Sequence, residues 1–339
     1  MMRMNNIRWA IAVLLLFLAS SANASLQEGL DAAGKGDFKK AYSEFKPIAE
    51  NGDEIAQYYL GVMYQNGDAV TKDDSQAAHW FRKSAEKGFA QAQTVLAGMY
   101  LNGTGLPKDS AQATVWYRKA AEQGDADAQT NLGVLYDNGL SGVRDAKQAV
   151  KWYRMAAIQG QAIAQRNLAV MLTKGWGVAK DDVKALAWYR KAAIQGDAIS
   201  QYNAGVMLEN GRGGPVDLPG AVAFYRKAAD QGYPEALSNL GGMYMRGLGV
   251  PLDYVQGVAW LQKGAEKGDP VGQRNLGAAY EGGLGVPVDL VEAYKWYALA
   301  AGTGEPQAIA AKATLTGKLN PEQLAKGKRL AEEWLTHHK

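Results

Sequence analysis

AQATVWYRKAAEQG occupies residues 111–124; AVKWYRMAAIQG follows at 149–160 and ALAWYRKAAIQG at 185–196. Set in rows of 36, the chain aligns without a gap over seven rows. Trp80, Trp116, Trp152, Trp188, Phe224, Trp260 and Trp296 share one column, and Gly88, Gly124, Gly160, Gly196, Gly232, Gly268 and Gly304 another. A period of this length marks stacked supersecondary units, none able to bury its apolar face alone. It overrides the about two or three globular domains that length by itself would suggest.

Within a row, AQTNLGVLYDNG at 128–139 places Ala128, Leu132, Leu135 and Tyr136 at helical spacing, and Gly139 ends the run with the residue that best tolerates a left-handed cap. This is helix A. A short loop follows, with proline at Pro107, Pro215, Pro251 and Pro287. Two residues after the proline column every row has an aspartate: Asp73, Asp109, Asp145, Asp181, Asp217, Asp253 or Asp289. Each is placed to cap helix B, and Gln76, Gln112, Gln148, Gln256 and Glu292, three residues on, predict a reciprocal capping box. Helix B carries an aromatic pair and a small pair, such as Trp116–Tyr117 and Ala120–Ala121, the means for close helix packing.

The pattern A-x-A-Q-x-x-L-G-x-x-Y-x-x-G…D-x-x-x-A-x-x-W-Y-x-K-A-A-x-x-G resembles the Sel1-like repeat, a relative of the tetratricopeptide repeat. The resemblance implies an all-α solenoid, a right-handed superhelix of helical hairpins serving as a non-catalytic scaffold or adaptor for a protein or peptide partner, or for a cell-wall component. Seven repeats are expected at 53–88, 89–124, 125–160, 161–196, 197–232, 233–268 and 269–304. Residues 25–52, with Phe45 in register with Phe81, read as an N-terminal capping hairpin. Residues 305–339 read as C-terminal capping helices and tail, the last helix opening at Asn320–Pro321.

The N-terminus reads differently. Arg3 and Arg8 precede an apolar run from Trp9 to Ala19, and Ala22 and Ala24 form an A-x-A cleavage signal before Ser25. Eleven apolar residues fall short of the roughly 20 a membrane-spanning helix needs, so residues 1–24 are expected to be a cleaved signal peptide and the mature protein to be periplasmic or secreted from a bacterium, with no stable membrane insertion. Cleavage removes two arginines and no acid, lowering the net charge from +3 to +1, which gives no electrostatic basis for nucleic-acid binding. With no cysteine, there is no disulfide framework or thiolate site.

Catalytic candidates are few. Ser43–Lys46 and Ser84–Lys87 spell S-x-x-K, which keeps a β-lactam- or peptidoglycan-acting enzyme as the rival reading, but S-D-N and K-T-G are missing and Ser84 shares a column with Ala120 and Ala192. His79 lies in a variable column, and His337 and His338 in a polar tail lack a third ligand, so no metal or cofactor is expected. Arg82 and Arg118 are placed one turn before Glu86 and Glu122, as exposed ion pairs. The Met63, Met99, Met171, Met207 and Met243 column reads as packing. Two columns of helix A are binding candidates. Asn131, Asn167, Asn203, Asn239 and Asn275 could hold a peptide backbone or join neighbouring repeats. One position earlier the column varies, and Tyr58, Arg166, Tyr202 and Arg274 there are residue types that dominate binding energy. A secreted factor engaging host proteins would use the same face.

Overall fold

A computed structural model describes residues 24–140 and 142–338; the expected leader lies outside the described residues except for Ala24. Every regular element among the described residues is an α-helix. The chain divides into two compact bodies, residues 1–161 and 162–339. The first holds a helix over 24–34 (α1), α2 (Phe38–Glu50), α3 (Glu54–Asn66), α4 (Asp74–Glu86), α5 (Ala90–Asn102), α6 (Ser110–Glu122), α7 (Ala126–Asn138) and α8 (Ala146–Ile158). The second holds α9 (Ala162–Lys174), α10 (Asp182–Ile194), α11 (Ala198–Glu209), α12 (Leu218–Asp230), α13 (Pro234–Arg246), α14 (Tyr254–Glu266), α15 (Pro270–Gly282), α16 (Leu290–Gly302), α17 (Pro306–Thr316) and α18 (Pro321–His337). From α3 to α16, odd-numbered helices are helices A and even-numbered ones helices B. In each body, hairpins stack as in an α-solenoid, the helices from α2 to α8 and from α9 to α17 each packing on the next in sequence, and α16 is covered by both α17 and α18.

The aspartate column does start helix B. Asp73, Asp109, Asp145, Asp181, Asp217, Asp253 and Asp289 each accept a backbone N–H of the first turn, satisfying donors that a helix start leaves open. The reciprocal capping box forms instead at the final helix, where Asn320 and Gln323 exchange bonds. In several helices B one aspartate oxygen already takes two N–H groups, as Asp109 does from Ala111 and Gln112.

Hairpins interlock through an aromatic ring of helix B set against a glycine of helix A. A Cβ on Gly133 would lie 2.6 Å from the Tyr153 ring, so no larger residue fits without displacing the ring. Successive hairpins are keyed by the A–B loop. Gly105, at φ +70°, brings its loop so near the first turn of α4 that a Cβ would stand 2.0 Å from the Asp74 carbonyl oxygen. The methionine column is buried, as are Leu60, Leu96, Leu132, Leu168 and Leu276, so each repeat contributes side chains worth about 1.5–3 kcal/mol apiece to the stack.

Polar groups cross this core as a ladder. Gln129 of α7 donates from Nε2 to Ala121 O of α6 at 3.0 Å and accepts from Gln159 at the end of α8 at 2.8 Å. Gln123–Gln93–Ala85 and Gln231–Gln201–Ala193 repeat the motif. Where Lys87 or Thr303 takes the outer place, Oε1 of Gln57 or Gln273 is buried without a partner. In the sixth repeat both members change together, to Leu237 and Lys267.

Candidate functional site

Helix A buries five to eight positions of each row, and the register of residues 55, 59, 62 and 66 marks its open side. In the second body this register reads Ile163, Asn167, Val170; Ile199, Asn203, Val206; Glu235, Asn239, Gly242; and Val271, Asn275, Ala278. Asparagine therefore runs along the centre, half-buried and flanked by small apolar side chains, with Ile163, Ile199 and Val271 exposed beside it. Asn131 holds the same place in the first body. Asn239 joins its repeat to the preceding one, whereas Asn203 and Asn275 bond within their own helices. Asn203 Nδ2 donates to Ile199 O of its own helix at 2.8 Å, Asn275 Oδ1 accepts from Arg274 Nε at 3.3 Å, and Asn239 reaches the hydroxyls of Tyr202 and Tyr225.

The variable column has a second, structural reason for varying. Four of its residues face the position that starts helix A of the next repeat and are matched to what stands there. Tyr58 meets Phe89 edge-on with ring centroids 5.2 Å apart, and Tyr202 meets Tyr233 at 5.3 Å. Arg166 pairs with Asp197 at 2.6 Å and Arg274 with Glu305 at 3.2 Å, each acid also capping its own helix. Where the column holds threonine, the hydroxyl turns back on its own helix, Thr94 to Ala90 O and Thr130 to Ala126 O. Tyr58, Arg166, Tyr202 and Arg274 thus clasp successive repeats, and burial raises the pKa of Tyr58 and Tyr202 above the ordinary tyrosine value.

Between α13 and α15 the open face deepens into a cavity of about 330 Å³. Asn239, Gly242 and Arg246 line one side, Arg274, Asn275 and Ala278 the other, over a floor that includes Leu261. Three candidate residues, Asn239, Arg274 and Asn275, thus converge on one concavity. Sequence reading missed Gly242 and Arg246; the available signal was that Gly242, like Gly98, stands where Val62, Val134, Val170 and Val206 stand in other repeats.

The basic stripe of helix B is engaged differently from the expected pairing with glutamate. Arg82 donates to Tyr100 Oη of the next repeat at 3.0 Å, and Arg118 and Arg226 likewise to Tyr136 and Tyr244. Lys119 lies over the Trp116 ring at 4.0 Å and Lys191 over Trp188 at 4.3 Å. These cations hold aromatic rings in place.

The S-x-x-K serines are occupied by backbone. Ser43 Oγ donates to Lys40 O at 2.7 Å, and buried Ser84 donates to Glu54 O at 2.6 Å. His79 is exposed, and His338 stacks on Trp334 with ring centroids 4.2 Å apart. Among the described residues no three His, Asp or Glu side chains are grouped as metal ligands, and no helix is long and apolar enough to cross a membrane.

The family model for the Sel1 repeat matches residues 55–89, 90–125, 126–161, 162–197, 198–233, 234–269 and 270–302. Among solved structures the chain is similar to c5321, a protective antigen present in uropathogenic Escherichia coli strains and displaying an SLR fold, at 34% identity and TM-score 0.83 over 93% of this chain and 68% of that one. It is also similar to a Sel1 repeat protein from Oxalobacter formigenes, at 32% identity and TM-score 0.64 over 86% of this chain and 90% of that one. No curated protein matches the chain.

Proposed function

Because the chain belongs to the Sel1 repeat family, whose fold generally mediates protein–protein interaction and whose members are typically non-catalytic scaffolds, we propose that it is an exported adaptor that holds a protein or peptide partner along the open face of its helices A. The observation that carries this reading is the asparagine column of the second body, flanked as Ile/Val–Asn–Val/Ala on three of its four helices A. An amide offers a donor and an acceptor to a peptide backbone, and flanking small apolar side chains let that backbone come close. On helix B, by contrast, Arg82, Lys119 and Lys191 are placed against tyrosine and tryptophan rings, and that helix carries no asparagine column.

The A-x-A sequence ending at Ala24 supports export to a periplasm or beyond, and the E. coli relative's being a protective antigen accords with it. A photoreactive amino acid placed at Asn203 or Asn275 should yield in-cell adducts with a partner, and one at Arg190 on helix B should not. Adducts forming from helix B alone would refute the assignment of the face. N-terminal sequencing of the mature protein should begin at Ser25.

A further inference from the structure

We propose that the cavity between α13 and α15 is a side-chain pocket that takes one bulky apolar residue, with an acidic residue beside it, from an extended segment of another protein. The inference rests on the helix-A reading above and narrows it to one place and one chemistry. Gly242 is the first observation. Glycine inside a helix costs about 1 kcal/mol against alanine, so its presence needs a reason. Packing does not supply one: a Cβ at Gly242 would meet nothing nearer than an Arg246 guanidinium nitrogen at 3.7 Å, an ordinary contact. At its neighbour Gly241, by contrast, a Cβ would fall 2.7 Å from Leu261 Cγ. What Gly242 provides is the space itself.

The walls specify what would fill that space. A volume of about 330 Å³ is at the low end of ligand pockets, suited to a large side chain more than to a cofactor. Met245, Leu261 and Leu284 supply apolar surface, while Asn239 and Asn275 offer amides one repeat apart for the backbone that carries the side chain.

Charge selects the neighbour. No carboxylate lines the cavity, but two guanidiniums do. Arg274 is held by Glu305 and Gln307. Arg246 is laid back by its Nε bond to Gly242 O at 3.1 Å and forms a long ion pair with Glu209 at 3.6 Å, its side chain remaining 58% exposed. Its remaining N–H groups are placed to take a carboxylate from a ligand.

The test is a selection from random dodecapeptides, fused to a carrier at both ends, on the full-length folded protein, followed by fluorescence polarisation of the selected peptides. They should share a Leu-, Met- or Phe-type residue next to Asp or Glu. Gly242→Val should weaken their binding at least about tenfold, and Arg246→Gln about three- to tenfold. Valine occupies this column at Val134, Val170 and Val206, so the thermal midpoint of Gly242→Val should hold or rise. Should valine nonetheless unfold the protein, Gly242→Ala, which has room for its methyl, should weaken binding about threefold. An empty selection, peptides without the apolar–acidic pair, or binding indifferent to all three variants would overturn the pocket. Peptides released by Asn131→Ala or Asn167→Ala alone would remove the pocket and leave the face standing, whereas indifference to every helix-A change would remove both.

Discussion

Replacing Gln129 by leucine tests the buried ladder. The side chain is 1% exposed, and its amide donates to Ala121 O at 3.0 Å and accepts from Gln159 at 2.8 Å. Leucine keeps the shape, so no cavity opens, but two hydrogen bonds of about 1 kcal/mol net each are lost. The abandoned groups are not wholly stranded: Ala121 O keeps the Gly124 N–H at 3.1 Å, and Gln159 Nε2 keeps Gly124 O at 3.0 Å. The expected cost is therefore about 1–2 kcal/mol, short of the upper end for a buried orphan. Adding Gln159→Lys copies the natural Leu237–Lys267 pair, in which the leucine is buried and the lysine is exposed, its end lying beside Gly232. The double variant should regain about half of the loss, a coupling of about 1 kcal/mol. Urea unfolding followed by tryptophan emission measures all three. Should the two changes add within about 0.5 kcal/mol, or Gln129→Leu cost nothing, the ladder is not a coupled unit.

Other outcomes follow from the same geometry. Gly105→Ala should destabilise by at least about 2 kcal/mol, combining a left-handed backbone with a clash on Asp74 O, whereas Gly124→Ala, at φ +98° with nothing within 4 Å, should cost only the backbone part, about 1 kcal/mol; chemical denaturation compares them. Arg166→Ala should cost about 1 kcal/mol and Asp197→Ala about 2, since Asp197 also caps Ser200 N at 2.7 Å; equal losses would mean the cap contributes nothing. Burial pushes Tyr117 up to about 12, so the folded state keeps a proton that the unfolded chain releases near pH 10. Its contribution is complete below pH 10 and disappears as pH rises from about 10 to 12, a loss of about 2–3 kcal/mol that Tyr117→Phe should remove from the alkaline limb of a stability–pH curve.

The frame of the fold was legible because a solenoid writes its structure locally. Trp116, Asp109 and Gly139 each act within one hairpin, so spacing alone assigns helix, cap and turn. The pairings between hairpins were not. Arg118 has Glu122 one turn along its own helix, yet it bonds Tyr136 Oη, which is 18 residues away and in the next repeat. Arg166 and Tyr202 looked free because their column varies, but the constraint lies 31 residues on, at Asp197 and Tyr233, and becomes visible only when two columns are read together. The cavity was hidden for a similar reason: Gly242 sits beside Gly241, whose smallness packing demands, and one row of text does not separate a required glycine from a spare one.

The matched seams also bear on heredity. Near-identical 36-residue segments invite unequal recombination, which would delete or duplicate whole rows without disturbing the reading frame of the fold. Loss of residues 197–232 would set Arg166 against Tyr233 in place of Asp197, leaving a cation facing a ring where it had a carboxylate. Rows with such a clasp are thus addressed to their successors, and a gene built of interchangeable-looking bricks encodes an order at those seams.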